Sequence, residues 1–250
     1  MNLRFENISK SYGKKLVLQN LSFEFSKGNN YCLLGVNGAG KTTLLNLILQ
    51  FFPADSGKIY FEGVHYKNLP QSVRQGIGFL SENLDLIDEL SFIQYLRLVG
   101  KLYKVDSKTL EKRIKEICAY LFEEDVDLNK KSLSVFSSGM RKKVAMCASL
   151  IHIPELLILD EPFSNLDPIS ANNVVDLINS YKDEKRTIIF SSHNLDYIEK
   201  INPVILVIDN KKIVFDGSLE TFTNSRKDKI DEALFKTLNV ESKNHTIKWI

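Results

Sequence analysis

The sequence is poor in cysteine. Cys32, Cys118 and Cys147 are the only three, widely spaced and odd in number, and no CxxC pair exists. A disulfide framework and a thiolate metal knuckle are both excluded, and the expectation is reduced thiols packed as small apolar side chains. Long apolar runs are missing too. The longest, such as Leu156–Leu159 and Val204–Ile208, are strand-sized. A membrane-spanning helix needs about 20 apolar residues. Net charge is almost absent: 33 basic against 31 acidic residues give +2. Nothing in that balance calls for an anionic membrane surface, and no nucleic-acid partner is expected. The opening Met1-Asn2-Leu3-Arg4-Phe5-Glu6 alternates polar and apolar and lacks the run of a signal peptide, so a cytosolic location is expected. Internal repeats and low-complexity stretches are also lacking.

What is there is ordinary globular composition, 44% hydrophobic and 26% charged over 250 residues. That suffices for one large α/β domain or two small ones. Residues 2–8 and 17–25 read as strands around a turn. Tyr31–Leu34 is a short apolar strand that runs into a glycine-rich loop, and Lys41–Phe52 has helical spacing. Lys58–Phe61 and Ile77–Leu80 read as further strands. From Ser91 to Leu150 the apolar positions recur at helical spacing. Strand patterns return at Leu156–Leu159, Thr187–Phe190, Val204–Ile208 and Lys212–Phe215, with helical segments at 169–181 and 194–200. Alternating strands and helices predict a mostly parallel sheet covered on both faces, interrupted by an all-helical insert.

Gly35-Val-Asn37-Gly38-Ala39-Gly40-Lys41-Thr42-Thr43 matches G-x-x-x-x-G-K-[ST], after a strand and at the start of a helix. Glycines let the backbone turn its N–H groups inward around phosphate oxygens, and the helix N-terminus adds its positive dipole end. Lys41 is expected on the β- and γ-phosphates of a nucleotide, and the Thr42 hydroxyl on Mg²⁺. In Leu156-Leu-Ile-Leu-Asp160-Glu161-Pro162 an apolar strand ends in two carboxylates. Asp160 is the candidate metal residue and Glu161 the candidate general base for an attacking water.

Between these halves, Ser134-Val-Phe136-Ser137-Ser138-Gly139-Met140-Arg141 opens an apolar helix. Here the chain resembles the ABC ATPase family, whose signature reads LSGGQ at this place. Ser137 and Gly139 match it, whereas Phe136, Ser138 and Met140 depart. A Ser-Gly turn at a helix N-terminus is itself a phosphate binder. Further marks follow in the family's order. Ser164-Asn165-Leu166-Asp167 resembles the D-loop, with Asn165 in place of Gly. His193 matches the switch histidine, Tyr12 the aromatic that stacks on adenine, and Val17 a nearby apolar contact. Gly78-Phe79-Leu80-Ser81-Glu82 carries Glu where most members have Gln, and a carboxylate there can still hold Mg²⁺.

The resemblance covers about residues 2–220. It implies a P-loop NTPase core with a mostly parallel sheet, an N-terminal antiparallel β subdomain and an inserted α-helical subdomain at about 83–150. The ATPase domain is expected over 1–220, and the tail 221–250 has no expected role. Glu82 and the Ser-x-Gly-Met signature resemble the branch that serves exporters of lipids, glycans, antibiotics and peptides. By resemblance, ATP and Mg²⁺ are expected, with catalysis by Glu161 and His193. Two such chains, identical or different, would pair head to tail, each ATP lying between one P-loop and the other chain's Ser137, Gly139 and Asp167. A polytopic membrane permease on a separate chain would dock on the helical insert, with Leu84, Leu86, Leu90 and Phe92 as candidate contacts. The chain would then lie at the inner face of the membrane. A soluble ABC ATPase uncoupled from transport is the alternative. Against it, the sequence has no second P-loop, no heptads and no CxxC pairs.

Overall fold

In the computed structural model, residues 1–122 and 132–239 are described. Strands β1 (Leu3–Tyr12) and β2 (Lys15–Phe25) alternate buried and exposed side chains and form an antiparallel hairpin. The hairpin turns at Gly13-Lys14, and both strands run closer to the turn than the sequence pattern suggested. With β4 (Ser56–Phe61) and β5 (Val64–His65) they build a four-stranded sheet of order β2-β1-β4-β5.

The second sheet has six strands in the order β10-β9-β3-β8-β7-β6. Its central strands are β3 (Asn30–Leu34), β7 (Leu156–Leu159) and β8 (Thr187–Ser191), buried at every position. Strand β6 (Ile77–Leu80) closes one edge, and β9 (Val204–Asp209) lies beside β3. Pairing is parallel from β9 to β6, and only β10 (Lys212–Ser218) runs antiparallel. The pleat divides the core. Cys32, Leu34, Leu157, Leu159 and Phe190 face one layer, whereas Tyr31, Leu33, Leu156, Ile158 and Ile189 face the other. A sheet with both faces covered needs a continuous apolar run in each inner strand, and these strands have it.

Helices α1 (Lys41–Ile48) and α2 (Gln71–Gln75) precede the helical insert, and α1 stops before the predicted Phe52. The insert holds α3 (Phe92–Leu102), α4 (Ser107–Leu121) and α5 (Ser138–Leu150). Ser91 opens α3 with a capping box to Gln94, and Asp106 caps α4 through the Thr109 N–H. Gly100 lets α3 and α4 approach closely: a Cβ there would meet Leu110 Cδ1 at 2.3 Å. Helices α6 (Pro168–Tyr181) and α7 (Leu195–Ile201) then cover the parallel sheet. Helix α8 (Leu219–Phe222) straddles the expected start of the tail at 221, and the tail, left without a role, holds α9 (Ile230–Thr237), whose Ile230 and Ala233 are buried. Its closing residues 240–250 lie outside the described residues. Cys32 and Cys147 are buried free thiols as expected, and Cys118 is half-buried. Among the described residues no helix is long and apolar enough to cross a membrane.

Candidate active site

Parallel strands of one sheet end on the same side, so whatever follows β3, β6, β7 and β8 is gathered at one edge. After β3 comes the glycine-rich loop. Gly35 has φ 149° and Gly40 φ 109°, conformations that side chains resist. A Cβ on Gly35 would lie 2.3 Å from the Ile208 carbonyl oxygen, and one on Gly40 2.7 Å from Leu18 Cδ2. The loop delivers the chain into α1, whose first turn has no side-chain cap. Lys41, Thr42 and Thr43 therefore bring uncapped backbone N–H groups to the cleft they line. Lys41 Nζ donates to the Gly35 carbonyl at 2.7 Å, folded over its own loop.

After β7 come Asp160 and Glu161, both buried. The Ser191 hydroxyl at the end of β8 donates to Asp160 Oδ1 at 2.6 Å and accepts the Glu161 N–H at 2.9 Å. Glu161 itself sits at φ 50°, left-handed backbone that a non-glycine residue adopts at a cost of about 1–2 kcal/mol. Its Oε2 lies 2.8 Å from His193 Nδ1 and accepts the His193 N–H at 3.3 Å. One cleft of about 650 Å³ is lined by Val17, Asn37, Gly38, Gly40, Lys41, Thr42, Thr43, Glu82, Asp160, Glu161 and His193. Thr42, Glu82 and Asp160 offer it only oxygen donors, the chemistry a hard divalent cation takes. Among the described residues no group of three His, Cys, Asp or Glu closes around a metal alone. By the chemistry of their oxygen donors, Thr42, Glu82 and Asp160 fit Mg²⁺.

Other expected residues stand apart from this cleft. Tyr12 is 48% exposed, edge-on to Phe52 at 5.6 Å, and pairs across the hairpin with Lys15, which does line the cleft. Gly35 and Ala39 shape the loop without lining it. Ser137 caps α5 by accepting the Met140 N–H at 3.3 Å. Gly139 lies so near the D-loop that a Cβ would meet the Asn165 carbonyl oxygen at 2.8 Å. Asp167 caps α6, accepting the Ile169 and Ser170 N–H groups at 3.0 and 2.9 Å, and hydrogen bonds from Ser170 hold its carboxyl below the usual range. Signature and D-loop thus pack on each other, and Ser137, Gly139 and Asp167 do not line the cleft.

A groove of about 570 Å³ separates the core from the helical insert. Leu84 and Leu86 line it, with Phe51, Tyr95, Leu102 and Tyr103. Phe92, expected as a docking contact, is instead fully buried: it packs on Phe122 with ring centroids 4.9 Å apart. Helical spacing cannot tell a core position from an exposed one when both are apolar.

Sequence reasoning missed Lys15, Ser191 and Lys142. Ser191 was visible only as the residue before Ser192-His193. Lys142 is 1% exposed and donates from Nζ to the Glu161 carbonyl at 3.1 Å. Burial holds its amine below the usual value, opposed by the carboxylates of Glu82, Asp160 and Glu161. Its signal was a lysine on the apolar stripe of α5.

Comparison with known proteins agrees with this geometry. Residues 18–164 match the family model described as ABC transporter. The chain is 33% identical over 216 residues to the linearmycin resistance ATP-binding protein LnrL of Bacillus subtilis (strain 168), covering 86% of this chain and 69% of that one. It is 34% identical to the lantibiotic transport ATP-binding protein SrtF of Streptococcus pyogenes, covering 90% and 96%. A solved structure described as an ATP-binding subunit of an ABC transporter superposes with a TM-score of 0.86 at 25% identity, covering 95% of this chain and 99% of that one. The chain therefore belongs to the ABC transporter family, as an ATP-binding subunit that hydrolyses ATP.

Proposed function

We propose that this subunit hydrolyses Mg·ATP in a head-to-tail pair with a second such subunit, and so drives a separate polytopic membrane permease in export. The observation that carries the reading is the single cleft at the ends of β3, β6, β7 and β8, which holds Lys41, Thr42, Glu82, Asp160, Glu161 and His193 together. Lys41 exchanges its loop carbonyls for β- and γ-phosphate oxygens, a stronger, charge-assisted contact. Thr42 and Asp160 hold Mg²⁺, with Glu82 as a further oxygen donor. The ion, when bound, neutralises charge that develops on the phosphates. Val17 and Tyr12 flank the base of the nucleotide. Glu161 takes the proton of the attacking water, and His193 keeps its carboxylate oriented and reaches the γ-phosphate.

The pairing follows from the second phosphate-binding helix start. Ser137 and Gly139 open α5 beside Asn165 and Leu166 and do not line the cleft of their own chain. They serve the ATP of the other subunit. The permease docks in the groove between core and insert, where Phe51 is 63% and Leu102 68% exposed. Such a partner places the chain at the cytoplasmic face of the membrane. Relatives named for linearmycin resistance and lantibiotic transport support an antibiotic- or peptide-like cargo, and so does Glu82 with the Ser-x-Gly-Met signature.

Two measurements test this. Steady-state phosphate release is expected from wild type and lost in Lys41→Ala. A polytopic membrane protein is expected to co-purify with wild type and to be lost from Phe51→Glu/Leu102→Glu, while phosphate release persists. Release without any membrane partner, in the cells of origin, favours a soluble ATPase.

A further inference from the structure

Lys142 is unusual for what it touches. Its ammonium is buried to 1% exposure and spends a hydrogen bond on a backbone carbonyl, that of Glu161. A buried ammonium is unfavourable unless its surroundings require it, and Met or Leu would fill the same channel without that penalty. The Glu161 carbonyl also accepts the Ser164 hydroxyl at 2.9 Å and the Ser164 N–H at 3.2 Å, while the Glu161 N–H is held by Ser191. The peptide units on both sides of Glu161 are therefore pinned around a residue whose φ of 50° is strained. Such strain persists only where the surroundings over-determine it.

We propose that Lys142 is a positioning residue for the general base: it holds the Glu161 backbone in its left-handed conformation, so that the carboxylate faces the cleft beside His193. This rests on Glu161 acting as the base. Lys142 lies one helical turn past Ser138 in α5, the helix that Ser137 caps. Through this one side chain, any displacement of the α5 start reaches the catalytic carboxylate of the same subunit. The carboxylates of Glu82, Asp160 and Glu161 also act on the Lys142 amine, opposing the effect of its burial.

The test compares Lys142→Met and Lys142→Arg, each alone and with Glu161→Gln, by steady-state and single-turnover phosphate release. Lys142→Met removes charge and donor at similar volume. Its kcat is expected to fall about 10- to 100-fold, the scale of a misplaced catalytic group. KM for ATP should stay within about threefold, and Tm should not fall. Lys142→Arg keeps a donor and should recover most of the lost kcat. In the Glu161→Gln background Lys142→Met should cost less than about twofold more, because both changes act through one carboxylate. Should Lys142→Met not fold, Lys142→Leu, which likewise removes charge and donor, carries the same comparison. Unchanged kcat, the same loss in both backgrounds, or an Arg variant as impaired as Met each overturns the proposal. Wild-type turnover of Glu161→Gln removes the base itself, and this role of Lys142 with it. Slow Glu161→Gln with normal Lys142→Met leaves the base and removes only Lys142.

Discussion

His193 Nδ1 lies 2.8 Å from Glu161 Oε2, and the two residues come from the ends of adjacent parallel strands, β8 and β7. The histidine side chain is 73% exposed and the glutamate 11%. The contact therefore places a buried carboxylate against a ring that a ligand in the cleft can reach. Glu161→Gln keeps the volume and a hydrogen-bonding tip but cannot accept the proton of water. We expect ATP binding to persist, kcat to fall about 10²–10⁴-fold and an ATP-loaded dimer to accumulate on gel filtration. Turnover at the wild-type rate would remove Glu161 from the chemistry.

Ser191→Ala takes a donor from Asp160 and an acceptor from the buried Glu161 N–H. Leaving such groups unpaired costs about 1–3 kcal/mol, to be read as a lower urea midpoint with unchanged slope. The half-saturating Mg²⁺ concentration for ATPase should rise about tenfold, because outer-shell partners orient metal-holding carboxylates. A variant with wild-type metal dependence would assign Ser191 to stability alone.

Tyr12→Ala removes a half-exposed ring beside Lys15, which lines the cleft. Equilibrium binding of ATP should weaken by about 1–3 kcal/mol, the scale of one base-stacking contact, with turnover at saturation nearly intact. Inorganic triphosphate should bind wild type and variant alike. Equal loss for both ligands would mean that the ring supports the hairpin and does not meet the base.

Gly100→Ala sets two effects against each other. Replacing glycine in a helix gains about 1 kcal/mol. Overpacking a filled site costs about 1–3 kcal/mol, and here three Leu110 atoms lie within 3.1 Å of the new Cβ. The clash is expected to win, lowering the unfolding midpoint. A more stable variant would mean that Leu110 can change rotamer freely.

His152 stacks on Tyr103 at 3.7 Å and hydrogen-bonds through Nε2 to the Ile77 carbonyl at 3.2 Å. Burial holds its pKa below the ordinary 6.5. Between the folded pKa and 6.5 the unfolded chain binds a proton that the folded chain does not. Stability therefore rises with pH across that window and is lost as pH falls through it. Thermal unfolding of wild type against His152→Phe should give a Tm difference that shifts in favour of the variant as pH falls from about 7.5 to about 5. A pH-independent difference would mean that the imidazole is freely protonated in the fold.

Local pattern determined much of this protein. Apolar runs of strand length announce a sheet covered on both faces. Gly35 to Thr43 identifies the phosphate loop, because only glycines accept the backbone angles that turn N–H groups inward. Asp160-Glu161 after a strand identifies the acidic partner. Whether an apolar residue of the insert faces core or groove was beyond the pattern, so Phe92 at the start of α3 and Leu84 in the segment before it looked alike and only packing separated them. Strand order decided the rest. It places β8 between β3 and β7, and with that sets Ser191 and His193 against carboxylates that are distant in sequence. Lys142 meets Glu161 only because α5 packs against β6, the strand beside β7, and no local periodicity encodes a contact made between elements.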